Sequence, residues 1–157
     1  MTMTINITPG KPSRMLPSTV DMVVDWLKAL PSLQAIIDPG SRISSTLPVD
    51  DDKIVYPWLT VARVVGVPVL PEAGIDRARI TFNSWGGTTS SGAPYWPASD
   101  LLMRTVEHEL RQVLSVHVVG KGHIVSVSGL EGIQQLQDPD TNGARWWMDA
   151  IVVTRGE

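Results

Sequence analysis

The sequence predicts an α+β fold, a mainly antiparallel sheet packed by two helices on one face, as one domain over residues 18–157 behind an N-terminal arm at residues 1–17. Three observations predict it. Strand-like segments with two-residue alternation are separated by turn signals, which argues for antiparallel neighbours. Two segments carry apolar residues at three- and four-residue spacing, the helical period. The chain has 157 residues, 43% of them apolar, enough for one core and one domain. A chain of this size buries about 70% of the surface that its unfolded form exposes.

The arm holds Pro9, Gly10, Pro12 and Pro17 and shows no apolar period. It reads either as a free tail or as an arm that orders on a neighbouring subunit. Residues 18–30 read as a helix with Ser18 as N-cap and Asp21 three residues on, close to a capping box. Its apolar stripe is Val20, Val23, Val24, Leu27 and Leu30. Pro31 starts a further turn, and Asp38-Pro39-Gly40 is expected to stop it. Ile43 to Leu47 reads as a short strand and Pro48 to Lys53 as a loop. Trp58 to Val65 is rich in β-formers, and Gly66, Pro68 and Pro71 punctuate the connection to the next strand.

Ile75 to Trp85 is the clearest strand. Ala78, Ile80 and Phe82 point one way, and Arg77, Arg79, Thr81 and Asn83 the other. Gly86 to Gly92 reads as a flexible loop closed by Tyr95, Trp96 and Pro97, one that orders against another protein through the two aromatic residues. Residues 99–114 form the second helix, with Leu102, Val106, Leu110 and Leu114 four apart and a Glu107–Arg111 pair. Ile124 to Leu136 is β-like, with Gly129 and Gly132 marking a bulge or bend. Asn142-Gly143 signals a hairpin into a last strand, Arg145 to Arg155. The predicted core is Ala78, Ile80, Phe82, Leu102, Val106, Leu110, Met148, Ala150 and Val152.

Composition narrows the chemistry. No run of about 18 apolar residues exists to span a membrane, and the N-terminus lacks the basic start of an export signal. Without cysteine there is no disulfide, thiolate zinc site or cysteine nucleophile. The net charge is −3 and the 13 basic residues are scattered, unlike the clustered cations of nucleic-acid binders. Six Trp stand against one Phe and two Tyr. Such residues serve either as core or as interface anchors.

Three motifs fall short of a site. His108-Glu109 begins a zincin helix, but Gln112 stands where the second His belongs. Gly120-Lys121-Gly122-His123 lacks the spacing of a phosphate loop and reads as a hairpin turn. Asp138, Asp140, Asn142, Gly143 and Asp149 match calcium-loop positions. Asp149 is too short for the usual bidentate reach, however, and a strand comes after the turn. The acidic triplet Asp50-Asp51-Asp52 reads as a solvated turn. No catalytic residue, cofactor or metal ligand is predicted.

Tyr56-Pro57-Trp58-Leu59-Thr60-Val61, then Arg63-Val64-Val65-Gly66-Val67, then Asp76-Arg77-Ala78-Arg79-Ile80-Thr81-Phe82-Asn83-Ser84-Trp85-Gly86, form a strand pair after a leading helix. A loop comes next, then a helix ending Arg111-Gln112-Val113-Leu114. Over residues 18–155 this layout resembles the tail terminator (tail completion) proteins of long-tailed bacteriophages. The resemblance implies a non-enzymatic α+β subunit in a six-membered ring that caps the tail tube, ends its growth and meets the head–tail connector. Its partners would be further copies of itself, the tail tube protein and the connector protein. Its place would be the tail–head junction of the virion, assembled in host cytoplasm, with DNA passing through the ring. Arg77, Arg79, Asn83, Trp85, Tyr95 and Trp96 are then the candidate subunit or tail-tube interface. The alternatives are another head–tail joining or tail assembly protein, or a small ligand-binding or enzymatic α+β domain. An enzyme would show a deep pocket with convergent polar groups. A ring subunit would show broad aromatic or apolar contact patches.

Overall fold

Strand and helix form where the apolar period changes from two to three and four. The computed structural model describes residues 18–64 and 74–157, with 28% helix and 41% strand, an α+β chain with a curled mixed sheet. The predicted N-terminal arm and the proline-punctuated connection after Val64 lie outside the described residues. The first helix, α1, spans Thr19–Ala29, and the Ser18 hydroxyl accepts from the Asp21 amide. The short helix α2, Pro31–Gln34, comes directly after it. The turn begun at Pro31 ends at Gln34, ahead of Asp38-Pro39-Gly40, and those residues begin a further turn that was not expected, α3, Pro39–Arg42. Proline at the first helical position needs no amide partner, and the Asp38 side chain accepts from the Gly40 amide.

The strands are β1 (Ile43–Ser44), β2 (Trp58–Val64), β3 (Ile75–Gly87), β4 (Leu114–Val118), β5 (Gly122–Ser128), β6 (Gln134–Gln137) and β7 (Ala144–Gly156). Helix α4, Pro97–Arg111, lies between β3 and β4. The sheet runs β1-β2-β3-β7-β5-β4, with β6 also paired to β7. Only β1 and β2 pair in parallel among the described strands. β5 and β6 lie along one edge of β7, at Ile151–Gly156 and Ala144–Trp147. Residues 129–133 interrupt them, and the Glu131 amide bonds the Asp149 carbonyl there. That break is the bend expected at Gly129 and Gly132, while the β-bulge of β5 falls earlier, between Ile124 and Ser126.

The Gly120–Gly122 segment turns β4 into β5, as its glycines suggested. Gly122 has φ +132, and a Cβ there would lie 2.1 Å from the Arg155 carbonyl oxygen, so no larger residue fits without movement.

All nine residues of the predicted core are buried. Leu102, Met103, Val106 and Leu110 of α4 join Met22, Val23, Trp26 and Leu27 of α1 against Ala78, Ile80, Phe82, Met148, Ala150 and Val152. Two expectations need correction. The buried stripe of α1 runs through Met22, Val23, Trp26 and Leu27, while Val20, Val24 and Leu30 pack only at its margin. Thr19 sets that rotation, because its buried hydroxyl is tied to the sheet. Leu114 is not on α4 at all. The helix ends at Arg111, Val113 turns inward, and Leu114 opens β4 with 89% exposure.

Candidate interaction surface

Strand alternation places Trp58, Thr60 and Ala62 of β2, Arg79, Thr81, Asn83 and Trp85 of β3, and Arg145, Trp147 and Asp149 of β7 on the sheet face away from the core. The register orders them in rows. Trp58 pairs with Trp85, Trp85 with Arg145, and Arg145 with Leu136 of β6. The next row is Thr60, Asn83, Trp147 and Gln134.

Diagonal contacts lock the two rows together. The Trp85 indole N–H donates to Thr60 Oγ1 at 3.0 Å. Arg145 Nε donates to Asn83 Oδ1 at 2.9 Å. The Arg145 guanidinium stacks over the Trp85 ring, 4.7 Å from its centroid, a cation–π contact. Thr60 and Asn83 are buried, at 6% and 7% exposure, so both bonds are shielded from water. Arg145 keeps its two terminal nitrogens without a hydrogen bond or an ion pair among the described residues. Arg145 and Thr60 were not singled out in the sequence. The one signal that could have found Arg145 was its place at the start of an alternating strand beside Trp147 and Asp149.

The predicted interface residues fall in three places. Asn83 and Trp85 belong to the Arg145 cluster. Asn83 was expected on an open polar face, but it is buried, because it accepts from Arg145 beneath the aromatic row. Arg77 and Arg79 sit further along β3, Arg77 exposed and Arg79 half-buried, paired across with Val153 and Ile151. Tyr95 and Trp96 precede α4. Trp96 meets Trp146 edge-on at 5.6 Å, and Trp146 packs against the core cluster on the other face. The sheet therefore separates Trp96 from Trp85.

The segment expected to be a loose loop is hydrogen-bonded on itself. Gly86 and Gly87 extend β3, the Thr89 amide bonds the Ala93 carbonyl, and the Tyr95 amide bonds the Gly87 carbonyl. Asn142 Nδ2 reaches across to the Gly92 carbonyl. The resulting hairpin leaves Tyr95 45% exposed. The calcium-like turn spends its oxygens locally: Asp138 accepts from the Asp140 amide and from Thr141. Asp149 stands in β7, and its buried Oδ1 and the Oγ1 of Thr81 directly opposite have no hydrogen-bond partner among the described residues.

A second arginine cluster lies on the core side. Asp76, fully buried, accepts from both terminal nitrogens of Arg63, at 2.5 and 2.9 Å, and from the Thr19 hydroxyl at 2.7 Å. Thr19 also meets Thr154 at 2.7 Å. Burial pushes the Asp76 carboxyl up, but the hydrogen bonds from Arg63 and Thr19, the Arg63 charge and the Arg77 amide outweigh it. Its pKa lies below the ordinary carboxylate value. The cluster fastens the start of α1 to β2, β3 and β7.

Elsewhere, α1 and β4 flank an open groove of about 320 Å³ lined by Asp25, Trp26, Ala29, His117, Val118 and Val119. Asp25 is engaged by Lys121, and the His117 and His123 rings lie 4.7 Å apart. Among the described residues no three His, Asp or Glu side chains gather closely enough to hold a metal ion. No protein-family model matches this chain, and no curated protein matches it.

Proposed function

We propose that this protein is a virion assembly subunit of the tail terminator kind, one that forms a ring, caps a phage tail tube and joins it to the head connector. The observation that carries the reading is the Trp85–Arg145–Leu136 row, an aromatic and cationic plate that continues from the buried Trp58 on the sheet face away from the core. Trp and Arg are the residues most favoured as interface hot spots. The plate is already fixed by Thr60 and Asn83, so little side-chain freedom remains to be lost on binding. We infer that the two long helices cover the other face of a mainly antiparallel sheet, which leaves the plate, with Arg77 and Arg79 beyond it, for other subunits or the tail tube. Tyr95 and Trp96 then serve a different contact, at the α4 side. A ring requires such unlike surfaces, because its interface joins two different patches. No chemistry is asked of the chain, and DNA would pass through the ring without being read.

Native mass spectrometry of the purified protein, with negative-stain images, tests this. A closed ring, of six copies on the resemblance, is the expected outcome. Particles assembled without the protein should carry tails of variable length that fail to join heads. A chain that stays monomeric, or tails of normal length that join heads efficiently without it, would overturn the reading.

A further inference from the structure

We propose that the Arg145 plate is the receiving half of the subunit contact and that a second copy of this chain fills it with its acidic turn, residues 49–52. This rests on the ring reading and names the contact that would build the ring.

The receiving half is set by geometry. Arg145 is held by one nitrogen, Nε, against buried Asn83 and by its flat face against Trp85. Those two contacts fix the plane of the guanidinium and leave its terminal nitrogens as a fork. A fork of this shape matches a carboxylate, with two parallel N–H to O bonds. No carboxylate supplies them within the subunit among the described residues. Phosphate has the same oxygen spacing, but phosphate backbones are held by clustered cations. The neighbours of Arg145 along its row are Trp58, Trp85 and Leu136, all apolar or aromatic. The plate therefore suits an acid beside an apolar side chain on a protein.

The chain itself carries such a pair. Val49 is 99% exposed, the highest value among the exposed large hydrophobic residues described. Asp52, three residues on, is exposed and makes no ion pair among the described residues, whereas Asp50 is engaged by Lys53. Asp52 itself lies in the short 3-10 helix Asp51–Lys53, directly after Val49 and Asp50. In the docked pair, the Asp52 carboxylate of one copy meets the Arg145 fork of the next, and Val49 lies on the Trp85 and Leu136 surface. The turn and the plate are different patches, so the contact is head-to-tail, the kind that closes into a ring.

Charge exchange tests it. Arg145→Glu and Asp52→Arg should each weaken self-association by about 30-fold, the scale of losing one well-placed interfacial ion pair. The Asp52→Arg/Arg145→Glu chain restores an opposite-charge pair at every contact, and most of the lost association should return. Asp52 is exposed, so its variant stays informative even where Arg145→Glu disturbs the fold. The absence of cysteine permits a second readout. A mixture of Val49→Cys and Leu136→Cys chains should give a hetero-crosslinked dimer with a short bis-maleimide. Wild-type rings that persist in both single variants, or a double variant no better than the singles, would overturn the docking assignment and leave the ring reading intact. A wild-type chain that is monomeric throughout would overturn both. Binding of labelled duplex DNA that Arg145→Glu abolishes would show that the plate takes a phosphate backbone instead of a second copy.

Discussion

Two arginines in this molecule have opposite situations. Arg63 spends both terminal nitrogens on Asp76 of its own sheet, inside a network closed by Thr19 and Thr154. Among the described residues, Arg145 is held only through Nε and its ring-facing surface, and its terminal nitrogens are unspent. The first arrangement is satisfied within the chain and fastens helix to sheet. The second is organised without being satisfied, which is what a contact site needs. An arginine is thus assigned by which of its donors are engaged, not by its burial alone: Arg63 keeps a side chain 43% exposed and still serves the fold.

This comparison yields three ordered predictions. The core between the two clusters sets the upper limit. Phe82→Ala removes a fully buried ring and should cost about 3–5 kcal/mol in chemical denaturation. A loss under about 1 kcal/mol would place Phe82 outside the cooperative core. Next comes the closed cluster. Asp76→Asn should cost about 2 kcal/mol, below the range for a fully buried pair because water still reaches Arg63.

The same variant has a pH signature. The folded-state pKa of Asp76 is lowered, so its contribution is present above the unfolded value of about 3.9 and is lost as pH falls through the folded value. The urea midpoints of wild type and Asp76→Asn should lie apart at neutral pH and converge in acid. A gap that does not narrow would remove the carboxylate charge as its cause. The smallest effect is expected at the open cluster. Arg145→Gln should change the stability of the isolated chain by no more than about 1 kcal/mol, since it loses one hydrogen bond and one cation–π contact. A loss as large as that of Asp76→Asn would erase the distinction between the two arginines.

Much of this fold is legible in the sequence. The alternation of Ala78, Ile80 and Phe82 placed them in the core, and the hairpin signalled by Asn142-Gly143 forms, as a turn over Asp138–Gly143 with Asn142 at φ +62. The Glu107–Arg111 pair forms at 2.6 Å, one helical turn apart. These features depend on residues a few positions apart. The failures share the opposite character. Leu114 continued the four-residue spacing, but the helix had already ended and Val113 had claimed the inward place. Asn83 alternated with apolar neighbours like a solvated residue, yet a side chain 62 positions away buries it.

The sequence by itself determined the two long helices, the long strands β3 and β7 with their core-facing alternate residues, and the turn at Gly120–Gly122, but neither the α3 turn nor β4. Each comes from a period or a steric rule acting over a few residues. The tertiary structure alone decided the rotation of α1 about its axis, because Thr19 meets partners 57 and 135 positions away. It also decided that Trp85 should lie beside Arg145 and that Trp96 should lie across the sheet from both. Strand register is a relation between distant segments, and a local period carries no information about which distant segment will be the neighbour.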